Sequence, residues 1–274
     1  MNLPSDPAAV GVFDSGVGGL SVLRAIRAHL SCQPVIYLAD QAHVPYGART
    51  QAEVRQFSEE ISRFLIALGA KVIVIACNAA SGAALYHLRK VFPQVPFVGM
   101  EPAVKPATSI THSGVIGVLA TPVTFQGELY NSVVSRFARD VVVLQDTCPG
   151  LVAQVEACQL DTPETRSILE KALRPMIEKN VDTIVLGCTH YPFVIPLVQE
   201  IVGPGVEVID PAPAVARQTR RLLERHRLLP VCEFPAPAFF YSTGDSARLS
   251  EMLPRLLGEE HVVQYIQWES GKLQ

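Results

Sequence analysis

Apolar positions along the chain fall into two alternating patterns. Short runs rich in β-branched residues, with no polar position every second residue, stand at 10–13, 35–39, 72–77, 115–119, 141–145 and 183–188. Unalternating runs of that length predict strands covered on both faces, as in a parallel sheet. Between them, stretches such as 51–68 and 162–179 place apolar residues three and four apart among helix formers, the spacing of an amphipathic helix. The alternation predicts βαβ architecture.

The first three runs and the next three fall into register. Gly11-Val12-Phe13-Asp14 matches Gly117-Val118-Leu119-Ala120, and Ile75-Ala76-Cys77-Asn78 matches Leu186-Gly187-Cys188-Thr189. A fourth match, Val98-Gly99-Met100-Glu101-Pro102-Ala103 with Val208-Ile209-Asp210-Pro211-Ala212, closes each copy and marks where the chain crosses between units. The tail from 213 onward, with strand-like pieces at 239–242 and 262–266, is no third copy and is expected to join the first unit. The expected fold is therefore α/β, with two pseudo-symmetric domains, each a mainly parallel sheet flanked by helices, and an active site in the cleft between them. The boundaries expected are 1–100 plus 211–274 for the first domain and 101–210 for the second.

Composition narrows the partners. A chain of 274 residues, 49% hydrophobic and 18% charged, can bury a substantial core, and a net charge of -3 with no basic run predicts neither nucleic acid nor anionic lipid as partner. The apolar runs are far shorter than a membrane helix requires, and residues 1–10 have no leader-like pattern. A soluble, cytoplasmic protein is the expectation. Six cysteines, at 32, 77, 148, 158, 188 and 232, are too sparse for a disulfide framework and contain no CxxC pair, so reduced thiols are expected throughout.

Cys77 and Cys188 each stand at the carboxyl end of the third strand of a copy, where open parallel sheets place their ligands. One cysteine there reads most simply as a small buried residue; two in matching positions point to a pair of acid/base thiols facing one small molecule. A thiol at a helix start has its thiolate favoured by the helix dipole, and a neighbouring acid or imidazole can exchange its proton. His190 is such a partner for Cys188, or else a local cap; Asp14 can serve Cys77; Glu156 reads by default as a solvated helix-face carboxylate. The turn Asp14-Ser15-Gly16-Val17-Gly18-Gly19-Leu20 opens a helix whose N–H groups can receive an anion, although a glycine-rich turn needs no ligand. Tyr46 and Gly47, after the second strand, can line the same pocket, the phenol bonding a carboxylate, or simply build a turn. No lysine stands in a pyridoxal-phosphate setting and the histidines do not cluster as metal ligands, so neither cofactor nor metal is expected.

Taken together, DSGVGGLSV, ADQAHVPYG, Cys77-Asn78-Ala79-Ala80-Ser81, LVAQVE, GCTHYPF and IDPAPAVA resemble the glutamate racemases of the cofactor-independent amino-acid racemase superfamily, from about Gly11 to Gln218 and more faintly through Tyr241 to Asp245. The resemblance implies interconversion of L- and D-glutamate, with D-glutamate feeding peptidoglycan synthesis, in a family where homodimers are common. It implies that Cys188 takes the α-proton of the L-isomer and Cys77 that of the D-isomer, with Asp14 beside Cys77 and with Glu156 and His190 beside Cys188. It places Asp14, Ser15, Tyr46, Gly47, Asn78, Ala79, Thr189 and His190 around the substrate. Where the family run more often has Thr, this chain has Ala79, which removes one hydroxyl donor from the pocket.

Two thiols suit the reaction, because a single base returning its own proton to the same face would regenerate the starting enantiomer. The rival readings are a racemase of aspartate or another amino acid, a non-catalytic two-domain binding protein, and a thiol redox protein. The last conflicts with two thiols held apart by a substrate.

Overall fold

The computed structural model describes residues 8–231 and 234–274; residues 1–7 and Cys232, about which the sequence carried expectations, lie outside the described residues. The first copy of the repeat contributes strands β1 (Ala9–Asp14), β2 (Val35–Ala39), β3 (Ala70–Ile75) and β4 (Phe97–Gly99); the second contributes β5 (Val115–Ala120), β6 (Val142–Asp146), β7 (Thr183–Gly187) and β8 (Glu207–Ile209). The tail adds β9 (Ala238–Ser242), β10 (Val263–Tyr265) and an antiparallel hairpin of β11 (Trp268–Glu269) and β12 (Lys272–Leu273). Helices α1 (Leu20–His29), α2 (Gln51–Ala67) and α3 (Asn78–Val91) connect the first sheet. The second is connected by α4 (Val104–Ile110), α5 (Pro122–Gln126), α6 (Glu128–Phe137), α7 (Leu151–Glu156), α8 (Pro163–Ile177) and α9 (Ile195–Val202); α10 (Ala212–Arg225) and α11 (Ser246–Leu256) follow.

Both sheets are parallel. Their orders, β10-β9-β2-β1-β3-β4 and β6-β5-β7-β8, make the two copies topologically equivalent and put the tail strands on the edge of the first sheet. In each, the chain leaves the central strand to one side and then crosses to the other, which opens a crevice at the carboxyl ends of β1 and β3 and of β5 and β7. The strands lack alternation because helices cover both faces: every residue of β1, β2 and β7 is buried.

The repeated glycine of the central strands has a packing reason. A Cβ on Gly11 would stand 3.2 Å from Leu65 of α2, and one on Gly117 would stand 2.7 Å from Met176 of α8. Glycine at both equivalent positions lets the following long helix lie close against its sheet. The helices begin where capping chemistry allows: Thr50 and Glu53 form a reciprocal capping box on α2, and Thr162 caps α8 ahead of Pro163. One apolar cluster runs through both copies, joining Val17, Val22 and Leu23 of the first to Leu151, Val155, Leu186 and Tyr191 of the second. Among the described residues no helix is long and apolar enough to cross a membrane.

One expectation is corrected. Cys77, Cys148, Cys158 and Cys188 carry free thiols, but Cys32, in the loop after α1, is disulfide-bonded. A cysteine count argues against a framework of bridges; it says nothing about a single bridge.

Candidate active site

Cys77 stands one residue beyond the end of β3, after Ala76, and is the N-cap residue of α3; it is 5% exposed. Burial first, and then the facing Asp14 carboxylate, push its thiol well above the ordinary cysteine range, a rise tempered by the Ala80 N–H of the first helical turn. Cys188 follows β7 and is 7% exposed. No α-helix begins there, contrary to expectation: Thr189 and His190 form a turn into a 3-10 segment, Tyr191–Val194, and α9 starts only at Ile195. Pro192 and Pro196 keep the chain from closing a regular helix earlier. Cys188 therefore gains no α-helix dipole. The two thiols lie close enough that Cys188 adds to the rise at Cys77.

Each thiol has its own helper. Asp14, the last residue of β1, is fully buried; its Oδ2 accepts the Gly19 N–H at 2.7 Å, while Oδ1 has no hydrogen-bond partner among the described residues. Burial raises its pKa, partly offset by His190 and by the Cys77 thiol. On the other wall His190 presents Nδ1 to the Cys188 sulfur at 3.6 Å and Nε2 to Glu156 Oε1 at 2.6 Å. Burial alone would lower the imidazole pKa, but its contacts with Cys188 and Glu156 prevail and hold it well above the ordinary histidine range. Burial would likewise raise the pKa of Glu156, yet the bonds from His190, Val17 and Gln41 hold it low. Glu156 is no solvated helix-face carboxylate: it ends α7, its side chain is 15% exposed, and it bonds into the site.

The glycine-rich turn after β1 is tied into both walls of the site. Two of its amides are engaged within the protein: Gly19 N–H serves Asp14, and Val17 N–H donates to Glu156 at 2.9 Å. Its glycines admit side chains of the other copy. A Cβ on Gly16 would stand 2.0 Å from Glu156 Oε1, and one on Gly18 would stand 2.5 Å from His190 Nδ1. Ser21 ties the turn further to the Cys188 wall, its hydroxyl lying 2.9 Å from the Thr189 carbonyl.

Between the thiols is a cavity lined by Ser15, Tyr46, Gly47, Cys77, Asn78, Ala79, Cys188, Thr189 and His190, with about 20 Å³ of free space, room for about one water molecule. Asp14 and Glu156 stand behind this lining, each against its own helper partner. Among the described residues both amide atoms of Asn78 are buried without a hydrogen-bond partner, which leaves them free to bond a molecule in the cavity. Tyr46 lines the cavity with a phenol already engaged: it donates to Asp40 Oδ2 at 2.5 Å.

Asp40 is a residue that sequence reasoning missed. It also accepts from His43, Thr243 and Trp268, at 2.9, 2.8 and 2.7 Å, so one buried carboxylate ties the Tyr46–Gly47 wall to the tail. Thr121 and Thr124 on the lining were missed as well. The repeat held the signal for Thr121, which follows Ala120 as Ser15 follows Asp14.

The arrangement can exchange protons with the opposite faces of a small molecule held between the thiols. Among the described residues no group of three His, Cys, Asp or Glu side chains is placed to hold a metal ion.

Residues 19–219 match the family model of Asp/Glu/hydantoin racemases. A glutamate racemase of Ectopseudomonas mendocina is 49% identical over 254 residues, 92% of this chain and 96% of that protein. Among solved structures, a glutamate racemase isoform of Bacillus anthracis superposes with a TM-score of 0.84 at 29% identity, covering 97% of this chain and 98% of that one. The Francisella tularensis glutamate racemase in complex with D-glutamate superposes with a TM-score of 0.82 at 26% identity, covering 96% and 98%.

Proposed function

The chain belongs to the Asp/Glu/hydantoin racemase family, and from that premise we propose that it interconverts L- and D-glutamate by a two-thiol mechanism without a cofactor. The observation that carries this reading is the pair of free thiols, Cys77 and Cys188, on opposite walls of one buried cavity beside unpartnered Asn78. In the L-to-D direction the Cys188 sulfur takes the α-proton and the bond electrons remain on the α-carbon. The Cys77 S–H then delivers its proton to the opposite face, and the reverse reaction exchanges the roles. His190, backed by Glu156, exchanges the Cys188 proton, and Asp14 does so for Cys77. Ser15, Gly47, Asn78 and Thr189 orient the substrate, with the amide of Ala79 in place of the missing hydroxyl. The dry cavity strengthens every hydrogen bond to the substrate carboxylate as charge grows at the α-carbon.

The relatives are glutamate racemases, one of them solved with D-glutamate, which supports glutamate over aspartate as substrate. The same reading carries cytoplasmic residence, supply of D-glutamate to peptidoglycan synthesis and homodimer formation. It also carries the division into residues 1–100 plus 211–274 and residues 101–210. The test is incubation of the purified protein with L-glutamate in heavy water: D-glutamate bearing α-deuterium is expected with nothing added, and aspartate should react far more slowly. Absence of exchange from pH 7 to 9 would overturn the proposal.

A further inference from the structure

With about 20 Å³ of free space, the cavity between the thiols holds no amino acid, and its walls are nearly closed to solvent: Ser15, Cys77, Thr189 and Cys188 are all under a tenth exposed. Glutamate enters a cavity this small only if its walls move apart and then re-form before chemistry. What meets on closing differs for the two thiols. Asp14 and Cys77 stand at the ends of paired strands of one sheet, so that helper stays assembled wherever the other half is. Cys188, His190 and Glu156 belong to the other half, but the Glu156 carboxylate ends in a seat built by the first. Val17 N–H donates to its Oε1 at 2.9 Å, and Gln41 Nε2 reaches its Oε2 at 3.4 Å. Ser242 donates to Gln41 Oε1 at 2.8 Å, which turns the amide NH2 toward Glu156. The seat exists because Gly16 has no side chain, since a Cβ there would fall 2.0 Å from Glu156 Oε1.

We propose that Gly16, the Val17 amide and Gln41 form a closure seat for Glu156, positioning the Glu156–His190–Cys188 chain only when the cleft is shut. The Cys77 wall has no such requirement. Proton transfer on the L face is thereby tied to closure, and Gln41 and Gly16 are positioning residues that act through Glu156. This inference deepens the racemase reading and rests on it.

The test uses α-deuterated L- and D-glutamate with the full-length enzyme. A wild type that racemises neither isomer defeats the racemase reading itself; an active wild type isolates the seat. Gly16 lies outside the left-handed region, so alanine there meets only the far end of Glu156 and imposes no backbone strain. Gly16→Ala is expected to lower turnover roughly a hundredfold, the usual consequence of misplacing a catalytic group by about an ångström. Gln41→Ala, which removes one hydrogen bond to a charged group, should lower it roughly tenfold.

In both variants transfer at Cys188 becomes the slow step. The isotope effect should therefore rise with deuterated L-glutamate and fall with deuterated D-glutamate. Ser242→Ala, which leaves Gln41 but not its orientation, should give the same divergence at smaller amplitude, and it serves as the readout if Gly16→Ala folds poorly. Wild-type turnover in Gln41→Ala, or isotope effects that move together as general loosening would make them, overturns the proposal.

Discussion

The wall of the first half and the wall of the second present the same thiol at the same strand end and surround it with different chemistry. Cys77 has a buried carboxylate beside it, Asp14, supplied by the neighbouring strand of its own sheet. The equivalent strand end in the second half is Ala120, and the acid arrives instead through an imidazole, from Glu156 by way of His190. A lone buried carboxyl beside one thiol and an imidazole backed by a carboxylate beside the other make the two walls of the cavity chemically unlike. Duplication has set where the thiols stand, while their helpers are set by the residues just past each strand. Equivalent position does not bring equivalent proton chemistry.

The sharpest break of this comparison is removal of either sulfur. Cys77→Ser and Cys188→Ser should each lower racemisation by about a thousandfold, within the range for loss of an acid/base group. Their residual exchange should differ: Cys188→Ser should still wash deuterium into D-glutamate without inversion, and Cys77→Ser into L-glutamate, as read by proton NMR. The reverse pattern would mean that the faces are wrongly assigned, and exchange from the same isomer in both variants would break the two-base model.

Next come the helpers. Asp14→Asn and His190→Asn are each expected to cost about a hundredfold. Since the equilibrium constant fixes the ratio of kcat/KM in the two directions, the asymmetry will appear in isotope effects. Asp14→Asn should raise the effect with deuterated D-glutamate, and His190→Asn that with L-glutamate.

Glu156→Gln sharpens the comparison by about tenfold in turnover. The Glu156 charge raises the His190 pKa, so its removal must move the imidazole titration downward, which nitrogen NMR can follow. The sign for stability follows by linkage. The contribution of His190, whose folded pKa is raised, is fully present below its unfolded value near 6.5 and fades as pH rises through the folded value. That of Glu156, whose folded pKa is lowered, is present above 4.5 and fades as pH falls through its folded value. Wild-type unfolding temperatures should therefore exceed those of Glu156→Gln most clearly between these limits.

The smallest effects belong to the first wall. Trp268→Phe, which removes an N–H donor to Asp40, should cost about 1 kcal/mol of stability. Ala79→Thr should lower KM by about threefold or less, as a restored hydroxyl in an otherwise complete pocket would.

Strands, their order of repetition and the placement of both thiols were legible because apolar runs and strand-end positions are local properties. What escaped depends on contacts distant in sequence. Asp40 is joined to Trp268 across 228 residues, and Val17 to Glu156 across 139. The glycine turn was read as able to receive an anion; two of its amides go to carboxylates of the protein, Asp14 of the same half and Glu156 of the other. The bond from the Tyr46 phenol to the buried Asp40 carboxylate was likewise not foreseen. The turn after Cys188 looked helical because its residues are compatible with a helix; the two prolines decide otherwise.

The matched strand orders of the two sheets carry a last consequence. Had the same site been assembled from two identical half-length chains around a twofold axis, every substitution would have appeared on both walls at once. Asp14 could not then coexist with Ala120, nor Asn78 with Thr189. A single covalent chain releases the two walls from that identity, so each thiol can keep a helper of its own.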